Sequence, residues 1–303
     1  MNILSNRNVW VTELNVENLL SLENVNIELG KLTVLVGLNA SGKSNVVKAL
    51  TLLNKLKENK IEDICRSNFK MGSVEQIFHR LERNLKLGVC MKVDDKELSY
   101  EILINPKGVI SKETIIRGKK ELPLETLLAR NEEGTIEYLT DSARKESERI
   151  SGLNYSSLYF PRELYHTLIR KVRDILGNIR TYSFNPDEIR SVASSGFKLE
   201  LERNGSNLAQ VLHTLLTFDR KKFQTVEEIM RDLIPEIEEI NVPTTETGDK
   251  VYLTMREKWI SEPLKYTNIA DGTLRTLAFT TALYLGGTVI VFEEPENCVH
   301  PYL

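Results

Sequence analysis

Hydrophobic and polar positions divide the chain into a run of short strands, a helix-rich stretch and a final helix–strand pair. Residues 9–16 and 25–29 read as strands, followed by the β-branched, largely apolar run LTVLV at 32–36 and a helix-forming stretch from Lys43 to about Lys57. The segments LKLGVCMKV, ELSYEILI and GVISKETIIRG then alternate around Asp94–Asp95 and Pro106–Gly108, which predicts an antiparallel meander. The charged tract 118–150, broken by Asn131 and Gly134 and without heptads, is expected to form exposed turns and short elements on a solvated face. Helical periodicity returns at 162–177, 207–217 and 225–233, with strands at 179–184, 237–242 and 250–256 between and after them. The closing pattern, DGTLRTLAFTTALYLGG then TVIVFEEPE, predicts a helix followed by a buried strand that ends in acid. No repeat or low-complexity tract interrupts this order.

Composition adds bounds. The chain has 303 residues, 41% hydrophobic and 27% charged, with a formal net charge of −3. That is enough to bury a sizeable core, and the overall charge gives no support for a nucleic-acid or membrane partner. Cys65, Cys90 and Cys298 lack metal-ligand or disulfide spacing and fit a reducing, cytoplasmic setting. The apolar stretch 276–292 contains Gly286–Gly287 and several threonines, so it reads as helix, turn and strand rather than a membrane span.

The candidate chemistry begins where the 32–36 run empties into GLNASGKSN. Gly37, Gly42, Lys43 and Ser44 meet the GxxxxGK[S/T] pattern with a strand before it and a helix after it. Glycines there let successive N–H groups turn inward onto phosphate oxygens, and the helix N-terminus adds its positive dipole end. Lys43 would bridge the β- and γ-phosphates of a nucleotide, and Ser44 would offer its hydroxyl to Mg²⁺. A second constellation stands at the end of the last strand. Glu293 would hold the metal, Glu294 would orient or deprotonate water, and Pro295 would end the strand.

Taken in order, GLNASGKSN, IADGTLRTLAF and VIVFEEPENCVHP resemble the phosphate loop, signature motif and Walker B/D-loop of ABC-type ATPases in the SMC, RecF and OLD branch. NGSNLAQVLHTLL at 204–216 is similar to a segment of RecF-like and OLD-type proteins. EEPE and the following His300–Pro301 resemble OLD-type AAA-family ATPases of phage defence more than transporters. The resemblance implies an α/β P-loop ATPase head with a mixed or parallel core sheet, an antiparallel β layer and an inserted helical lobe. Its domains would be a nucleotide-binding core from 1–60 and 260–303, a β subdomain with the Q-loop at 61–120, and the lobe at 121–259.

The resemblance also implies ATP and Mg²⁺ as ligands and assigns ATP binding to Gly37, Asn39, Ala40, Ser41, Gly42, Lys43, Ser44 and Asn45. Asp271 and Gly272 fall in the signature turn that faces a nucleotide across a homodimer. Gln76 is the candidate metal-sensing glutamine, with a plain surface glutamine as the other reading. Ala270 stands where the signature usually has serine, and Glu293 where aspartate is common. The family continues past the D-loop into a further core strand and a switch histidine, so the chain is expected to be truncated there. His300 would shape the dimer interface, whereas His79, His166 and His213 lack ligand spacing and read as structural. Trp10 would either pack in the core or stack on adenine.

Three functions fit. The first is the ATPase module of an OLD-type protein whose nuclease or other effector lies elsewhere. The second is a RecF- or SMC-like clamp that closes on DNA with ATP. The third is a degenerate nucleotide-binding interaction protein. The acidic pairs Asp94–Asp95 and Glu132–Glu133 sit in expected turns, without the clustered partners a nuclease needs.

Overall fold

The computed structural model describes residues 9–118, 124–160 and 163–297. Two compact units emerge, Met1–Arg180 and Thr181–Leu303.

The first unit is organised by one antiparallel sheet of eight strands in the order β2-β1-β3-β4-β5-β6-β7-β8. The long strands are β1 (Val9–Leu19), β2 (Leu22–Glu28), β3 (Leu85–Val93), β4 (Lys96–Ile104) and β5 (Ile110–Arg117). Asp94 and Asp95 both take left-handed angles (φ 48° and 65°), which lets the β3–β4 hairpin close in two residues. In β3 the odd positions Leu85, Leu87, Val89, Met91 and Val93 are buried, while Lys86 on the other face forms ion pairs with Glu17 and Glu101. Period-two alternation thus sets one apolar face. Helices α1 (Lys43–Lys55), α2 (Ile61–Phe69) and α3 (Thr167–Gly177) complete the unit: α1 packs on α2, α3 and β1, and α3 on β6 (Glu125–Arg130).

The α/β class and the meander stand as expected, and two local readings change. The described part of the tract 118–150 has the expected exposed turns, at 131–133 and 141–144, but it is not only a solvated face. It adds β6, β7 (Thr135–Leu139) and β8 (Lys145–Arg149) to the sheet. Residues 32–36 form no strand: Leu32, Val34, Val36 and Leu38 are 71–90% exposed, and no ladder partner is found for them among the described residues. Strand propensity depends on neighbours, and a run without a ladder stays irregular. The large sheet is accordingly antiparallel throughout rather than a parallel core built on that run.

A charged network lies inside this unit. The buried Glu113 carboxylate accepts from the Tyr100 hydroxyl (2.9 Å), the Ser156 hydroxyl (2.5 Å) and the Ser157 N–H (2.7 Å), with Arg130 3.9 Å away. Arg130 in turn donates to the carbonyls of Leu153 (3.1 Å) and Tyr155, so the network fastens segment 152–158 to the sheet. Burial lowers the Arg130 pKa and raises that of Tyr100 well above the ordinary phenol value.

The strand β9 (Ile179–Tyr182) carries the chain into the second unit and leads to α4 (Pro186–Ile189), β10 (Ala193–Ser194), α5 (Leu208–Phe218) and α6 (Arg220–Leu233). Then come β11 (Ile237–Asn241), β12 (Lys250–Val251), β13 (Thr254–Glu257), β14 (Leu264–Lys265), α7 (Asp271–Leu285) and β15 (Val289–Phe292). β15 pairs with β9, and a separate core gathers Leu212, Leu215, Val226, Met230, Leu274, Leu277 and Ala278 from α5, α6 and α7. Gly286, with φ 77°, ends α7 in the angle an L side chain resists and releases the chain into β15.

Candidate functional site

The loop at 37–44 is shaped by two left-handed residues, Ala40 (φ 64°) and Gly42 (φ 98°), which curl the chain before α1 starts. Gly42 also needs its missing side chain, since a Cβ would stand 3.0 Å from Leu22 Cδ2 and 3.1 Å from Ser21 Oγ. At Gly37 a Cβ would come within 2.9 Å of Ser41 Oγ. The turn between β1 and β2 therefore buttresses the loop, and Asn45 reinforces it by donating from Nδ2 to Ser21 Oγ at 2.8 Å. Ser21 escaped the sequence reading because it lies outside the motif.

Lys43 folds back over the loop and donates from Nζ to the carbonyls of Gly37 (2.7 Å) and Leu38 (2.9 Å). Its charge is thus held by main-chain oxygens at the loop mouth. Ser44 is exposed on the first turn of α1. That turn contains no acidic residue and no side-chain cap bond, so the positive end of the helix is left for an anion. Asn39 and Ala40 are exposed in the same loop, as is Ser41, whose N–H closes a turn onto Leu38 O at 3.2 Å.

Glu293 and Glu294 follow β15 in the second unit. The Glu293 N–H donates to Tyr182 O at 2.9 Å, and its carboxylate, with the side chain 19% exposed, forms an ion pair with Arg203. Glu294 takes a left-handed φ of 48°, which breaks the strand direction at that residue. Its carboxylate accepts from Asn297 Nδ2 at 2.6 Å. Arg275, one turn into α7, donates to Asn297 O (2.8 Å) and Glu294 O (3.4 Å) and so braces the acidic turn. Behind the turn, Phe292 packs on Tyr182 (5.7 Å between centroids) and Phe279 (4.8 Å).

Asp271 opens α7 and is engaged by Arg190, which also donates to Ile269 O at 2.7 Å. Gly272 is half-buried, and its carbonyl accepts from Thr276 Oγ1 at 2.8 Å. Gln76 is exposed in a short 3₁₀ turn, Val74–Ile77, where its Oε1 accepts from Gly72 N at 2.8 Å. Trp10 is 45% exposed with the Lys92 ammonium 5.8 Å from its ring, so it is not a core residue. His79, His166 and His213 each hydrogen-bond main chain, as a structural role requires. Cys298, His300 and Pro301 lie outside the described residues.

Arg190, Arg203 and Arg275 were missed by sequence reasoning because their partners are distant along the chain. Ser44 belongs to the first unit and Glu293 to the second. Among the described residues no group of three or more His, Cys, Asp or Glu side chains is placed to hold a metal. The donor chemistry at Glu293 nevertheless suits one, since its carboxylate already attracts a cation in Arg203.

A family model described as "AAA domain, putative AbiEii toxin, Type IV TA system" matches residues 32–303. No curated protein matches. Among solved structures, the recombination mediator protein RecF with ATP is similar at 16% identity and a TM-score of 0.28, over 75% of this chain and 46% of that one. The same mediator with an ATP analogue gives 16% identity, a TM-score of 0.28 and coverage of 75% and 45%. The chain thus spans less than half the length of either.

Proposed function

The chain belongs to this AAA domain family, and from that premise we propose that it binds ATP at the 37–45 loop and hydrolyses it with Mg²⁺. The observation that carries the reading is the loop itself: left-handed Ala40 and Gly42, an uncapped α1 N-terminus and a lysine ammonium at its mouth. Incoming phosphate oxygens would replace the carbonyls of Gly37 and Leu38 as partners of Lys43. Residues 1–60 and 260–303 serve as the nucleotide-binding core. Asn39, Ala40, Ser41, Gly42 and Asn45 would shape the loop around the phosphates, and Ser44 and Glu293 are the residues that would each offer an oxygen to the metal. Bound there, Mg²⁺ would supply charge neutralisation to the nucleotide's phosphates.

Glu294 acts as the general base. Asn297 and Arg275 hold its carboxylate and its carbonyl, so the side chain keeps one orientation toward a water it deprotonates. Asp271 and Gly272 act on the nucleotide of a second copy, and ATP links two chains into a homodimer. The biological setting we propose is that of an OLD-type ATPase module in phage defence or DNA maintenance, with an effector in another segment or subunit. The EEPE turn supports that placement.

Replacing Glu294 by Gln separates binding from chemistry. ATP affinity is expected to persist while turnover falls by roughly 10²- to 10⁴-fold, the usual contribution of a positioned base. An unchanged turnover would remove Glu294 from the mechanism.

A further inference from the structure

The segment around Asn204–Ser206 has no part in the reading above, yet its fold is specific. Asn207 is buried and ties the segment together, accepting from Glu202 N at 2.8 Å and donating to Glu200 O at 2.9 Å. Gly205 N–H closes the turn onto Glu202 O at 3.0 Å, and at φ 81° a Cβ on Gly205 would strike Ile189 Cγ1 at 2.8 Å. Two backbone bonds then fix this turn beside the acidic strand end. Ser183 N donates to Arg203 O at 2.8 Å, while the preceding residue, Tyr182, accepts from Glu293 N at 2.9 Å. Arg203 and Glu293 are thereby held on adjoining segments, and their side chains meet as an ion pair.

We propose that Arg203 is a placeholder cation on Glu293, occupying the carboxylate until a divalent metal arrives with nucleotide and displaces it. This rests on the reading of Glu293 as the metal carboxylate. The chemistry follows from the contact: a guanidinium and a metal ion compete for the same carboxylate lone pairs, and Glu293, four-fifths covered, is costly to leave without a cation. Arg203 is half-exposed, so its guanidinium can turn to solvent when it is displaced. Arg203 is a positioning residue in this scheme. It holds the Glu293 carboxylate aimed, and it sets a threshold for metal loading.

The test is the ratio of AMP-PNP dissociation constants measured in EDTA and in Mn²⁺ with the full chain. Loss of a competitor in Arg203→Gln is expected to raise that ratio about fivefold or more, within the usual range of coupling between ligands. Arg203→Lys keeps a cation and raises it less, which supplies the same directional test if Arg203→Gln proves unfolded. A structural ion pair alone would lower the melting temperature and leave the ratio unchanged or reduced, and that outcome overturns the proposal. Glu293→Gln separates the two layers of the argument, since it should bring the ratio toward one. If it does not, Glu293 is not the metal carboxylate, and the functional reading beneath the proposal fails with it.

Discussion

Single residues here act through what they face, and Cys65 shows how far environment moves chemistry. It lies buried in α2, where burial first and the Glu62 charge second push its thiol from 9.0 up to about 11. At pH 8 the thiol is neutral and is expected to resist alkylation in the folded protein. Because the folded pKa is raised, the native state binds more protons than the unfolded one between about 9 and 11. Cys65 therefore stabilises the fold below that window, and its contribution is lost as pH rises through it. Comparing denaturation midpoints at pH 8 and pH 10 in the parent and Cys65→Ala isolates this effect from other groups that titrate there. The parent should lose more stability than the variant, and equal losses would show that Cys65 is solvated. The tight curl at 37–44 was legible in the sequence because its residues are neighbours along the chain. Arg203, Arg275 and Arg190 were not, because each finds its partner through the fold, 90, 22 and 81 residues away.

Elements were readable wherever one face is buried. The β3 and β4 alternation gave a meander whose residue pairing follows directly from the hairpin at Asp94–Asp95. β8 was missed for a physical reason. Its KESER sequence is almost wholly exposed and is held by its ladder to β7, so it has no apolar period to read, as suits a charged edge strand. The 32–36 run failed in the opposite sense: its composition is that of a buried strand, but composition cannot supply a ladder. In β5, Glu113 looks like one more surface charge, yet it points inward, where Tyr100, Ser156, Ser157 and Arg130 compensate it. Glu113→Ala leaves Arg130 buried without its counter-charge and is expected to cost about 3–5 kcal/mol by urea denaturation. A cost below about 1 kcal/mol would mean that the network contributes little to holding segment 152–158.

At the scale of the whole molecule, the chain builds two cores, one beneath an antiparallel sheet and one among α5, α6 and α7. The loop at 37–45 belongs to the first and the acidic turn at 293–297 to the second. The family match spans both. Among the described residues no helix is long and apolar enough to cross a membrane, which agrees with reading 276–292 as α7, a glycine turn and β15. The central claim is that the loop at 37–45 binds ATP through Lys43. The most direct measurement is equilibrium ATP binding to the full chain and to Lys43→Ala. Loss of a charge-assisted contact to phosphate predicts affinity weaker by about 10- to 100-fold with the fold intact. A folded Lys43→Ala protein that binds ATP as tightly as its parent would contradict the account.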